Sequence, residues 1–256
     1  MHVSTIQSFL TEHPRYPLST QYAPVGGGMN CVVAFFNYYD QVFRGSNTAA
    51  TLHLIFLDKD GDLTAEREIR MPANGSLQFD ALAEGITSDG MVAVAAVPEG
   101  NIDAINVGRV KLKPRVNTGF YVKWENTGGG RDLMHEWTSV QTEPVARMKH
   151  HVGFIKAQSV IEHGLVLMNP VAAAGAVSVP SLVLRESGQS AALAQATLAP
   201  IPPMGTRVVE LSSVFPDFAR RLASGRPLVV DVVAENLSAP LTAEWHKQGD
   251  FHFRHI

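Results

Sequence analysis

One pattern occurs twice in this chain, in the same order, and it constrains the fold more than any single residue does. Val33-Ala34-Phe35-Phe36-Asn37 resembles Leu165-Val166-Leu167-Met168-Asn169, an apolar run closed by an asparagine that can start a turn. Leu54-Ile55-Phe56-Leu57 leading into Asp58-Lys59-Asp60-Gly61 parallels Leu182-Val183-Leu184 leading into Arg185-Glu186-Ser187-Gly188, each a strand entering a hairpin turn. Met71-Pro72-Ala73-Asn74-Gly75-Ser76-Leu77-Gln78-Phe79-Asp80 matches Ile201-Pro202-Pro203-Met204-Gly205-Thr206-Arg207-Val208-Val209-Glu210, with proline and glycine at one constant offset ahead of an alternating strand. A buried-looking strand closes each half, Gly90 to Val97 in the first and Arg226 to Ala234 in the second. Such self-similarity means one structural unit used twice.

Short strands with turn signals about every ten residues give each strand one face to bury, and two sheets that bury each other satisfy that need. The expectation is an all-β fold: two tandem immunoglobulin-like β-sandwich domains with minor short helices. They are arranged as an N-terminal extension over 1–20, a first sandwich over 21–145 and a second over 146–256. Helices are expected at Ser4 to Glu12 and at Pro216 to Ala223, the latter ended by Gly225. With 45% hydrophobic and 18% charged residues, the 256-residue chain has enough apolar material for two cores.

A net charge of −3 with scattered basic residues supplies no stripe to attract a phosphate backbone, so nucleic acid is not an expected partner. The most apolar stretch, Met91 to Val97, is of strand length, and no membrane span is expected. The start of the chain lacks the basic and continuous apolar regions of a secretory signal, and Cys31 is the only cysteine, so a soluble, cytoplasmic protein held by packing alone is expected.

Several constellations invite chemistry. His135, Glu136, His150, His151 and His163 are the densest set of nitrogen and oxygen ligands, of the kind that suits zinc or non-haem iron, but their spacing fixes no two on one face. On a strand, His150 and His151 point to opposite faces. Asp58, Asp60 and Asp62 have the spacing of oxygen ligands in a calcium loop but lack its later glycine and its closing glutamate, which leaves an acidic hairpin turn. Cys31 heads an apolar strand with no base beside it, and Glu66 and Glu68 alternate with Arg67 and Arg70 as a solvated face. In the final segment, His252, Arg254 and Ile256 share one face and Phe251, Phe253 and His255 the other, as on a last edge strand. Gly26 to Gly28 and Thr127 to Gly130 read as mobile loops over one end of a sandwich rather than as phosphate loops, which would need a following helix.

The repeat unit, with its strand ending in Asn, its Pro-x-x-Gly lead and a late apolar strand such as Pro227-Leu228-Val229-Val230-Asp231-Val232, resembles the small bacterial sandwich of the sensory rhodopsin transducer family. That resemblance implies a β-rich, oligomer-forming protein that binds a partner or a small ligand and performs no chemistry of its own. The chain departs from the family by its fusion in tandem, by the aromatic and glycine-rich segment from Phe120 to Thr138 and by its N-terminal extension, and no binding residue is carried over.

The leading reading is therefore a non-enzymatic binding or assembly protein without a cofactor. It presents sandwich loops and edge strands to a protein partner or small ligand, or to further copies of itself. Contact is expected at Tyr121, Trp124, Trp137 and Arg131, since aromatic and arginine side chains carry much interface energy; core packing is the competing account, above all for Trp124 on its alternating strand. The alternatives are a metal-dependent enzyme built on the histidine set and a carbohydrate-binding module using exposed aromatics.

Overall fold

The computed structural model describes residues 3–14, 16–37, 39, 48–99, 105–107, 110–112, 120–135 and 137–255. It is mostly β, and the chain forms two compact units: Met1–Glu125 with Leu133–Val140, and Asn126–Asp132 with Gln141–Ile256. The first begins with helix α1 (Val3–Glu12) and continues through β1 (Ser19–Val25), β2 (Met29–Phe36), β3 (Ala50–Leu57), β4 (Leu63–Met71), β5 (Ser76–Asp80) and β6 (Ser88–Pro98). A small hairpin of β7 (Ile105–Val107) and β8 (Val110–Leu112) precedes β9 (Phe120–Asn126), β10 (Arg131–Met134) and β11 (Thr138–Ser139). Then come β12 (Met148–Phe154), β13 (Val160–Met168), β14 (Ser181–Glu186), β15 (Ala194–Thr197) and β16 (Thr206–Glu210). Two short helices, α2 (Leu211–Val214) and α3 (Phe218–Ala223), lead to β17 (Leu228–Ala234), β18 (Leu241–His246) and β19 (Phe251–His255).

The first unit has sheets ordered β11-β1-β6-β3-β4 and β10-β9-β2-β5; the second has β12-β17-β14-β15 and β16-β13-β18-β19, with antiparallel pairing throughout. If β12 through β17 are matched in turn to β1 through β6, and β18 and β19 to β9 and β10, the two strand orders coincide except for β11, which has no counterpart. In the second unit Val152 and Phe154 from β12, Leu182 and Leu184 from β14, and Leu228, Val230 and Val232 from β17 share one core with Leu165 and Leu167 of β13. Each set recurs every second residue, as a strand with one buried face requires. In the first unit Phe56 of β3 meets Phe79 of β5 across the two sheets, with ring centroids 5.9 Å apart.

The repeated asparagines are fully buried ties rather than exposed turn starters. Asn37 donates its side-chain amide to the carbonyls of Thr48 (3.1 Å) and Pro72 (2.9 Å), and Asn169 donates in the same way to Ala176 (2.7 Å) and Ile201 (3.2 Å). Their backbone N–H groups reach Gly75 and Gly205, the glycines of the two Pro-x-x-Gly turns. There the residue before the glycine is left-handed, Asn74 at φ 56° and Met204 at φ 57°, and a Cβ on Gly75 or Gly205 would lie 3.0 or 2.9 Å from the turn's own proline. Asparagine, proline and glycine thus form one device, built twice.

Two expected loops are tight turns. Gly26 and Met29 exchange both backbone hydrogen bonds around Gly27 and Gly28, whose φ angles of 61° and 91° are those of a two-residue hairpin. In the other, Asn126 accepts from the Gly130 N–H with its side chain and from the Gly129 N–H with its carbonyl. Among the described residues no helix is long and apolar enough to cross a membrane, which says nothing of crossing by strands.

Candidate functional site

In the second unit, antiparallel pairing sets His163 of β13 opposite Glu244 of β18, and Glu244 opposite His252 of β19. Thr242 likewise lies opposite Arg254. Residues directly opposite share a face, and so do residues two apart on one strand, so His246 joins this row. The same face carries Leu165 and Leu167 toward the core, and the polar row is its continuation at one end.

Where the row meets the other sheet, a cleft of about 450 Å³ opens between the sheets. Phe154, Ile155 and Leu228 form an apolar wall, and Thr242, Glu244 and Arg254 supply the polar side. The Glu244 carboxylate lies 3.4 Å from Arg254 Nη2, 3.8 Å from His163 Nδ1 and 4.0 Å from His246 Nε2. Its side chain is 19% exposed whereas that of Arg254 is 64% exposed, so the carboxylate is largely shielded from water and its guanidinium partner is not. His163 is pinned edge-on between Phe154 (5.5 Å) and Phe218 (6.0 Å). Burial holds its pKa below the ordinary histidine value despite the opposing pull of Glu244 and Glu162. His163 Nδ1 and His246 Nε2 are buried without a hydrogen-bond partner, while His246 Nδ1 is held by Ser159 Oγ at 2.9 Å. The site is thus a carboxylate backed by two imidazoles at the polar side of an apolar cleft.

Two other clusters are of a different kind. Asp231 of β17 is 1% exposed and is surrounded by Arg185 (2.5 Å), His151 (2.6 Å) and Lys149 (3.0 Å). Burial alone would raise its pKa, but hydrogen bonds from Lys149 and His151 and the charges of Arg185 and Lys149 hold it below the usual carboxylate range. This is an ion network around one desolvated charge. In the first unit, a polar pocket of about 270 Å³ is lined by Glu12, His13, His53, Glu66 and Glu68 beside α1.

The expected metal ligands do not come together as one set. His151 is engaged with Asp231, and His150, its neighbour on β12, points to the opposite face, as strand alternation requires. His163 belongs to the other sheet of that unit, His135 belongs to the first unit and stacks near Tyr121 (6.2 Å), and Glu136 lies outside the described residues. Among the described residues no three His, Cys, Asp or Glu stand close enough to hold a metal ion. Asp58 accepts hydrogen bonds from the N–H groups of Asp60 and Asp62, so the acidic motif is a hairpin turn. Burial pushes the Cys31 thiol far up, into an inert state.

Of the expected contact residues, Trp124 is a core residue, fully buried and donating from Nε1 to the Tyr22 carbonyl at 2.9 Å. Trp137 is half-buried and donates to the Phe120 carbonyl at 3.1 Å. Tyr121 is 40% exposed, and Arg131 is exposed at the start of β10. Of the group around Glu244, only His163 is among the ligand candidates visible in the sequence; Glu244, His246 and Arg254 become its companions through strand pairing. The alternation of Glu244 with His246 was a signal; the register that sets His163 opposite Glu244 was not, because strand alternation carries no register.

No family model matches the sequence, and no curated protein matches it. Among solved structures, the chain is similar to a Streptomyces avermitilis α-L-rhamnosidase complexed with L-rhamnose, at 7% identity and a TM-score of 0.22, covering 94% of this chain and 26% of that one. A glycosyl hydrolase family 2 member from Bacteroides cellulosilyticus matches at 11% identity and a TM-score of 0.22, over 93% of this chain and 28% of that one. Red sea bream transglutaminase matches at 10% identity and a TM-score of 0.16, over 98% and 33%. The chain therefore spans between a quarter and a third of these proteins, and likeness at this level carries no functional argument.

Proposed function

We propose that this protein is a non-enzymatic binding protein built from two immunoglobulin-like β-sandwiches in tandem, the product of a duplication, and that its second sandwich takes a small amphipathic ligand between its sheets. The coincident strand orders and the twice-built asparagine tie support the duplication. One observation carries the binding reading: the cleft of about 450 Å³, with Phe154, Ile155 and Leu228 facing Thr242, Glu244 and Arg254. That volume falls within the roughly 300 to 1,000 Å³ typical of small-molecule sites, and an apolar wall with few polar groups is their usual chemistry. A cytoplasmic location is part of the proposal, resting on the single, buried cysteine.

The reading is tested by isothermal titration of the full chain with 1-hexanol, a neutral probe with one polar end. Saturable binding is expected, and it is lost in Thr242→Trp, which fills the cleft from a strand position that tolerates an aromatic side chain. An unchanged circular dichroism spectrum shows that the variant is folded. Equal binding by Thr242→Trp, or no binding by the parent chain of 1-hexanol, hexylamine or hexanoate, would refute the proposal.

A further inference from the structure

The charge in the cleft is asymmetric in a way that selects its ligand. Glu244 and Arg254 both line it, but they are not equivalent. Glu244 sits on β18, an interior strand of its sheet, with its carboxylate mostly buried and two imidazole nitrogens 3.8 and 4.0 Å from its oxygens. Arg254 sits on the edge strand β19 with nearly two-thirds of its side chain in water, and it approaches Glu244 at 3.4 Å. An exposed arginine loses little by turning into solvent, since exposed ion pairs contribute little and long side chains regain rotamer freedom on release. The buried carboxylate has no such escape and needs a cationic partner in whichever state the cleft adopts.

We propose that the ligand of this cleft is a small primary amine with an apolar tail, whose ammonium group displaces Arg254 from Glu244 while its tail lies against Phe154, Ile155 and Leu228. The inference rests on the cleft being a ligand site, and it names the ligand's chemistry. Arg254 is then a competing internal cation that sets the affinity. The ammonium carries three N–H donors and no acceptor, so it matches a cleft whose buried polar group is the Glu244 carboxylate.

The experiment titrates the full chain with hexylamine, 1-hexanol and hexanoate, which share a tail and differ in charge. Hexylamine is expected to bind about tenfold tighter than hexanol, as a charge-assisted contact added to the same apolar burial would give. Glu244→Gln removes that difference, because hexylamine loses its anionic partner while hexanol never had a charge-assisted contact to lose. Arg254→Ala tightens hexylamine severalfold by removing the competitor, an effect that a merely structural role for Arg254 would not produce. Hexanol and hexylamine binding equally would overturn the amine assignment while leaving the cleft as a ligand site. So would a preference for hexanoate, weakened by Arg254→Ala. Failure of all three probes would remove the cleft reading itself. Nα-acetyl-lysine amide is included as well; binding as tight as that of hexylamine would assign the ammonium to a lysine side chain of a partner and overturn the free-amine assignment.

Discussion

Asn169 has no exposed surface, and its polar atoms are all engaged with backbone: its amide donates to Ala176 and Ile201, and its Oδ1 accepts from the Val171 N–H at 3.2 Å. Truncation leaves two carbonyls and an N–H buried without these partners, so Asn169→Ala is expected to cost about 3 kcal/mol, read from urea unfolding followed by tryptophan fluorescence. Asn37→Ala should do the same to the first unit, whose tie has the same bonds. Asp231 makes a pH-dependent contribution of known sign. Its folded pKa lies below the ordinary value, so its stabilisation is fully present above about pH 4 and is lost as pH falls further through the folded value. The stability gap between the parent chain and Asp231→Asn should therefore stay constant near neutrality and shrink below about pH 4, as acid titration of the urea midpoint would show. A gap independent of pH would mean that Lys149, His151 and Arg185 do not hold this carboxyl ionised.

Helix α1 covers the outer side of β3 through Phe9, whose ring lies 4.9 Å from those of both His13 and His53. Burial lowers the His53 pKa, outweighing the opposing pull of Glu68. Phe9→Ala should cost about 3 kcal/mol of first-unit stability as a large-to-small core change. It should also move the His53 titration up toward the ordinary value as water reaches the ring, which an NMR titration of its imidazole proton detects. A lost helix with an unmoved titration would separate the two effects. The helix was readable in the sequence because Ile6, Phe9 and Leu10 fall on one helical face, and the strands were readable because an alternating period of two survives wherever one face is buried. The turn at Gly26–Gly28 was not, since a glycine run is compatible with an open loop or a tight hairpin, and only the hydrogen bonds between Gly26 and Met29 decide. The cleft was hidden for a related reason. His163 and Glu244 are far apart in the chain, and a register shift at the Val160/Glu162 irregularity of β13 would pair other residues.

The twice-used strand order follows from the repeat, because a turn device of Asn, Pro and Gly fixes where each strand starts and therefore which strand it joins. The contiguous halves that a repeat suggests are a separate matter: the second unit includes Asn126–Asp132, which precedes residues of the first in the chain. Within that unit Asn126 donates to the Gly249 carbonyl, and Asp132 accepts from the Phe253 N–H at 2.7 Å and lies 3.9 Å from His252. These bonds hold β19, the strand that carries Arg254 into the cleft. Asp132→Ala should therefore lower the stability of the second unit by about 1 to 2 kcal/mol, the cost of a lost charge-assisted bond to a backbone donor, and leave the first unit's transition in place in calorimetry of the full chain. A fragment of residues 141–256, which lacks the segment altogether, should lose at least as much and should bind 1-hexanol more weakly than the full chain. A fragment as stable as the second unit of the intact protein would mean that Asn126–Asp132 contributes no net stability to the unit in which it lies.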